Sequence, residues 1–241
     1  MTLTRSHGAS GGFWLSLVKD ALIVVVVALV ISFLLKTFLI RSFFIPTDSM
    51  EPTLLQDDRI VVSQLHGNFL DLKRGDVIVF SDPGGWLSPL SGARENDPVS
   101  RTLDSIGNFF GISSSTSAEY LVKRIIGLPG DNLLCCDEEG FVRINEAPID
   151  EPYLILPDGL NKVSSNDFQV TVPSGALWVM GDNRYNSADS RRNMDKVGGG
   201  FVPLENVVGR AVVVVWPQDR WSLLSNYPGV FDDIPERFDF R

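Results

Sequence analysis

The chain offers few side chains for covalent chemistry. Its imidazoles are His7 and His66, and its thiols are the adjacent Cys135 and Cys136. Neither Cys-x-x-Cys nor Cys/His spacing occurs, so no metal site is expected. Bonding between neighbouring cysteines closes a strained ring, so a disulfide framework is not expected either. His7 precedes a long apolar run, and His66 sits in His66-Gly67-Asn68, which reads as an exposed turn. A Ser-His-Asp triad would have to use His66. If the chain is a hydrolase by another route, lysine is the obvious base.

A serine hydroxyl attacks poorly unless a neighbour takes its proton. Lysine can do so only as the neutral amine, and its ordinary pKa of about 10.4 leaves little of that form at neutral pH. Burial among apolar groups can lower the value to about 7–8. Lys123 stands in Tyr120-Leu121-Val122-Lys123-Arg124-Ile125-Ile126. On a strand it would share a face with Leu121 and Ile125, and Arg124 would point away. From this stretch alone an ordinary edge or surface lysine is the better reading, because lysine is seldom buried. The serine candidate is Ser49, between Pro46 and Pro52 in Phe43-Phe44-Ile45-Pro46-Thr47-Asp48-Ser49-Met50-Glu51-Pro52-Thr53-Leu54. The prolines restrict the backbone and suit a preorganised turn. Alone, Pro-x-x-Ser-Met also fits a plain linker.

The elements that must hold these residues follow from hydropathy. Residues 1–20 read as a tail and 21–40 as a membrane anchor. Ala21 to Ile40 is about the length of a helical bilayer span, with Lys36 close enough to its end to snorkel. No Ala-x-Ala follows the run, so an uncleaved anchor is expected. Arg5 and Lys19 on one side balance Lys36 and Arg41 on the other, so charge does not orient it. Ser49 lies about nine residues beyond, at about 3.3 Å per extended residue.

The rest reads as β-rich. Arg59–Leu65, Asp76–Phe80, Tyr120–Ile126, Phe141–Ile144, Phe168–Val172, Ala176–Met180 and Val207–Trp216 are short apolar runs punctuated by Gly, Pro, Asn and Asp. Residues 81–118 read as an insertion loop with a short helix near Val99–Phe110, and 217–241 as a C-terminal tail. The 241 residues are 44% hydrophobic and 21% charged, as in a globular chain. A net charge of −9 argues against nucleic acid as a partner.

Four separated segments, in order, resemble the type I signal peptidases. Ser49-Met50-Glu51-Pro52-Thr53-Leu54 resembles the segment around that family's nucleophile. Gly75-Asp76-Val77-Ile78-Val79-Phe80 is similar to the strand that follows. Lys123-Arg124-Ile125-Ile126-Gly127-Leu128-Pro129-Gly130-Asp131 resembles the general-base segment. Gly181-Asp182-Asn183-Arg184-Tyr185-Asn186-Ser187-Ala188-Asp189-Ser190-Arg191 resembles the last signature. The resemblance runs from the anchor to about Trp216.

That resemblance implies a mainly β fold, with an N-terminal transmembrane helix followed by an antiparallel β-sheet catalytic domain over 41–216. It implies a serine endopeptidase that removes signal peptides from secretory preproteins, cutting after Ala-x-Ala through an acyl-enzyme. Ser49 would attack and Lys123 would be the base. The Ser49 N–H and the Thr47 hydroxyl, where many members carry serine, would form the oxyanion hole. Ser187 would orient the lysine, and Asp189 and Arg191 would support the site as a salt bridge. Asp182, Asn183 and Arg184 read as a structural turn. Phe43, Ile45, Met50, Leu54, Ile60 and Val122 would line shallow apolar pockets. No cofactor or metal is implied. The partners would be preproteins and membrane lipid, with the catalytic domain on the extracytoplasmic face of a single-pass membrane protein. The alternatives are a peptidase maturing one dedicated partner, a non-enzymatic binding module, and a Ser-His hydrolase using His66.

Overall fold

The computed structural model describes residues 10–38, 40–64, 72–87 and 120–235. His7, His66 and the expected helix at Val99–Phe110 lie outside them. The chain divides into two compact units, Met1–Ile40 and Arg41–Arg241.

The first unit holds α1, Ser10–Phe38. Its Val-rich centre favours strand in water, yet it is helical. Its described side chains, Leu17 to Val30 and Ser32, are all exposed. Among the described residues no helix is long and apolar enough to cross a membrane. The helix also stops at Phe38, and Ile40, expected within the span, opens a strand instead.

In chain order the strands are β1 Ile40–Phe44, β2 Arg59–Ser63, β3 Val77–Ser81, β4 Tyr120–Gly127, β5 Asn132–Cys135, β6 Val142–Ile144, β7 Ala147–Ile149, β8 Phe168–Thr171, β9 Ala176–Met180, β10 Val202–Pro203, β11 Val207–Trp216 and β12 Ser222–Leu223. They form a large sheet ordered β1-β2-β11-β3-β4-β9-β10, with β12 on β11, and a small sheet ordered β7-β6-β5-β8. Pairings along the large sheet from β2 to β10 are antiparallel.

β3 shows why the central strands read as unbroken apolar runs. Both faces of the sheet are covered, so alternate residues enter different cores. Val77 and Val79 pack with Phe43, Ile45, Met50, Leu54 and Ile60. Ile78 and Phe80 pack with Ile125, Leu177, Val179 and Trp86. A third core joins the sheets around Trp178 of β9, which contacts Phe168 and Phe201 at ring-centroid distances of 5.2 and 5.4 Å. Each fully buried aliphatic side chain here contributes about 1.5–3 kcal/mol.

β4 lies between β3 and β9, with Lys123 opposite Ile78 and Arg124 opposite both Val77 and Met180. β3 bonds β4 from Tyr120 to Arg124 and β9 bonds it from Arg124 onward, a stiff support for an accurately placed side chain that leaves Tyr120–Lys123 without a β9 partner. Beyond Trp216 the chain returns to the core, burying Phe231 and Ile234 and placing Arg220 on the buried Asp58 carboxylate at 2.9 Å.

The cysteines differ from expectation. Cys135 and Cys136 are joined as a disulfide at the end of β5, with Cys135 buried in the core between the sheets.

Candidate active site

Ser49 follows β1 in a turn whose backbone closes on itself, with Glu51 N–H donating to the Asp48 carbonyl and Leu54 N–H to Met50. Lys123 comes from the middle of β4. The two meet in a buried position: Ser49 is 8% and Lys123 3% exposed, and Lys123 Nζ lies 2.6 Å from Ser49 Oγ. Nζ also donates to the Val122 carbonyl at 3.0 Å. No carboxylate lies within salt-bridge distance of it among the described residues.

Burial disfavours the ammonium and lowers the Lys123 pKa to about 8. The charges of Asp189 and Asp182 raise it and that of Arg191 lowers it, and burial outweighs them. The amine can therefore be neutral near physiological pH, with its lone pair toward the Ser49 hydroxyl. This is the arrangement a lysine base requires.

The Thr47 hydroxyl stands 3.3 Å from Ser49 Oγ, and the Ser49 N–H makes no hydrogen bond among the described residues. A free N–H and a hydroxyl beside the attacking oxygen are the donors an oxyanion needs. Phe43, Ile45, Met50 and Val122 line a cavity of about 80 Å³ with Thr47, Ser49 and Lys123. At about 30 Å³ per water in the liquid, that space suits a short side chain. Leu54 and Ile60, expected in the pocket, do not line it. Both are fully buried beneath the nucleophile turn, against Val62, Val77 and Val79. Their alternation along turn and strand points them into the core rather than the cleft.

The loop from Gly181 to Arg191 fastens the turn that carries Ser49. Asn183 N–H donates to the Ser49 carbonyl at 3.1 Å, and its Nδ2 to the Asp48 carbonyl at 3.2 Å. Asn186 Nδ2 reaches the Asp48 carboxylate at 2.9 Å. A Cβ on Gly181 would fall 2.4 Å from the Ser49 carbonyl oxygen and 2.2 Å from Ser187 Oγ, so only glycine fits. Ser187 Oγ is buried without a hydrogen-bond partner among the described residues, and no bond joins it to Lys123.

Asp189 and Arg191 form a buried bidentate pair at 2.9 and 2.7 Å, and Gly181 N–H also donates to Asp189 at 2.9 Å. Burial would raise the Asp189 pKa, but the Arg191 charge and these hydrogen bonds hold it below the usual carboxylate value. Asp182, read from sequence as part of a plain turn, receives Arg124 Nε at 2.8 Å, Arg124 Nη2 at 2.7 Å and the Thr53 hydroxyl at 2.5 Å. It thus ties β4 to the nucleophile turn. Arg184 pairs with buried Glu151. The pocket also takes Tyr120 and Leu87, which the sequence reading missed. Leu87 belongs to no signature segment, and nothing in its neighbours marks it.

A sequence model of the family described as "Signal peptidase, peptidase S26" matches residues 18–216. A protein of Mycobacterium leprae named probable signal peptidase I is 38% identical over 224 residues, covering 83% of this chain and 76% of that one. A signal peptidase I of Mycobacterium tuberculosis is 35% identical over 225 residues, covering 87% and 76%. A probable signal peptidase I of a Synechocystis species is 31% identical, covering 91% of each chain.

The lowered basicity of Lys123 can be read directly. In a Ser49→Ala chain carrying isotope-labelled lysine, one ε-amine is expected to titrate by NMR near pH 8, well below the ordinary lysine value of about 10.4. A Lys123 midpoint above about 10 would mean that burial does not govern it.

Proposed function

The chain belongs to the signal peptidase family, peptidase S26, and is a serine endopeptidase that removes signal peptides; we propose that it does so with Ser49 as nucleophile and Lys123 as general base. The observation that carries this reading is the 2.6 Å approach of Lys123 Nζ to Ser49 Oγ in a buried position with no carboxylate within salt-bridge distance among the described residues.

Neutral Lys123 takes the Ser49 proton as Oγ attacks the scissile carbonyl. The Ser49 N–H and Thr47 hydroxyl stabilise the oxyanion. The resulting ammonium protonates the leaving amine, which departs as the new N-terminus of the mature protein. A water then gives its proton to Lys123 and attacks the acyl carbon, and Ser49 regains the proton as the signal peptide leaves. Ser187, a buried hydroxyl on the loop that Asp189 holds, turns to the Lys123 amine and orients it. The Asp189–Arg191 pair holds the loop that carries Ser187. The small cavity favours cutting after Ala-x-Ala, and an extended preprotein segment pairs with β4 through its backbone. Retention of Ser49, Lys123 and Ser187 together weighs against a binding module.

We further propose that α1 is a single membrane anchor and that the catalytic domain faces the extracytoplasmic side. Support comes from its described apolar side chains, among them Val18, Leu22, Val24 and Leu29 at 65, 63, 66 and 64% exposure. They cover the helix on all sides, an arrangement suited to lipid rather than to water.

Purified chain in detergent is expected to cut a preprotein once, after Ala-x-Ala, as read by mass spectrometry. Ser49→Ala and Lys123→Ala should each lower kcat/KM by about a thousandfold or more while the fold persists. Wild-type kcat/KM should fall about tenfold per pH unit below about pH 8, where Lys123 becomes protonated. A rate unchanged from pH 5 to 9 with chemistry limiting would exclude lysine as the base. In cells, the chain is expected to stay with membranes through alkaline carbonate washing and to be digested by protease added to spheroplasts. Release into the wash, or protection of the catalytic domain, would overturn the anchored topology.

A further inference from the structure

One wall of the cleft comes from a turn separate from the elements that carry Ser49 and Lys123. After β3 the chain makes a short turn from Asp82 to Leu87. The Asp82 carboxylate organises it, accepting N–H bonds from Gly84 and Trp86 on Oδ1, each at 2.9 Å, and from Leu87 on Oδ2 at 3.0 Å. Trp86 is buried and stacks edge-on against Phe80 at 5.8 Å. The turn is thus clamped at both ends of its short course, by a carboxylate on three amides and by an indole driven into the core. What it delivers is Leu87, packed against the core cluster that includes Leu121 and lining the cavity that holds Ser49 and Lys123.

We propose that Leu87, held by Asp82, is a specificity-determining wall that sets the size of the substrate side chain accepted at the third position before the cut. This rests on the Ser49–Lys123 reading. That reading places the scissile carbonyl at Lys123 and the residue before the cut beside it. A substrate strand paired along β4 directs alternate side chains to the same side, about 6.6 Å apart. Leu121 lies one such step from Lys123, and Leu87 lines the same cavity as Leu121. The third-position side chain therefore comes against the Leu87 isobutyl group, in a cavity of about 80 Å³. Trimming that wall opens the subsite, and enlarging it closes the subsite. Freeing the turn by removing the Asp82 carboxylate blurs the boundary without deleting it.

The test uses the full chain in detergent and preprotein peptides with alanine directly before the cut and Ala, Val or Leu at the third position. Leu87→Ala is expected to raise kcat/KM for the Leu peptide relative to the Ala peptide by about tenfold, the scale of a hydrophobic size mismatch. Leu87→Phe should shift the ratio the opposite way, and Asp82→Asn should shift it as Leu87→Ala does, by less. If the variants cut the Ala peptide but keep the wild-type ratio within about twofold, Leu87 does not meet the substrate and the proposal falls alone. If wild type cuts no peptide, the dyad reading falls and takes the wall with it.

Discussion

Neighbouring side chains on one strand are buried to nearly the same depth yet shifted in opposite directions of basicity, Lys123 downward and Arg124 upward, and the site depends on that difference. Arg124 keeps its charge because everything around it accepts one: the Asp182 carboxylate on two nitrogens, the Gly75 and Ser225 carbonyls, and the Tyr153 ring 4.1 Å away. Its pKa is raised, since Asp182 overcomes the burial that would lower it. Lys123 meets only a hydroxyl and a carbonyl, and so gives up its proton readily. Buried charges persist only when paired. Here the pairing of one side chain and the lack of pairing of the next follow from the alternation of a β-strand.

The surrounding carboxylates must be kept from undoing this. Asp182 and Asp189 both favour the lysine ammonium. Each is engaged by its own arginine at 2.7 Å, so that burial remains the larger influence on Lys123. The same pairs hold the Gly181–Arg191 loop, and that loop grips the nucleophile backbone through Asn183. Electrostatic neutralisation and mechanical support are thus done by one set of residues.

Much of this was legible in the sequence. The strands at Arg59, Val77, Tyr120, Val142, Phe168, Ala176 and Val207 lie within two residues of their expected places, because alternation and Gly/Pro punctuation mark strands of that length. β1, β5, β7, β10 and β12 were missed, since strands this short carry too few alternations, and β1 was hidden in the end of an apolar run. Ser49 and Lys123 stood out only through segment order, because nothing local separates a buried lysine from an edge lysine. Leu54 and Ile60 look like pocket residues in one dimension, and only the turn reveals that they face inward. The partners of Asp182 and the reach of Leu87 are long-range facts. The Cys135–Cys136 bond ran against a general rule about neighbouring thiols.

Ser49 and Lys123 are 74 positions apart in the chain, and the loop that grips Ser49 lies 134 positions beyond it at Asn183. Contacts of such separation are slow to form, because loop closure must precede the stabilisation they bring. The lysine stays an ordinary solvated ammonium until β3, β4 and β9 have paired around it. A chain emerging from synthesis therefore carries a harmless serine and a harmless lysine. With Ser49 and Lys123 in the proposed roles, proteolytic capacity arrives only with the finished sheet, so the topology that builds the site also delays it.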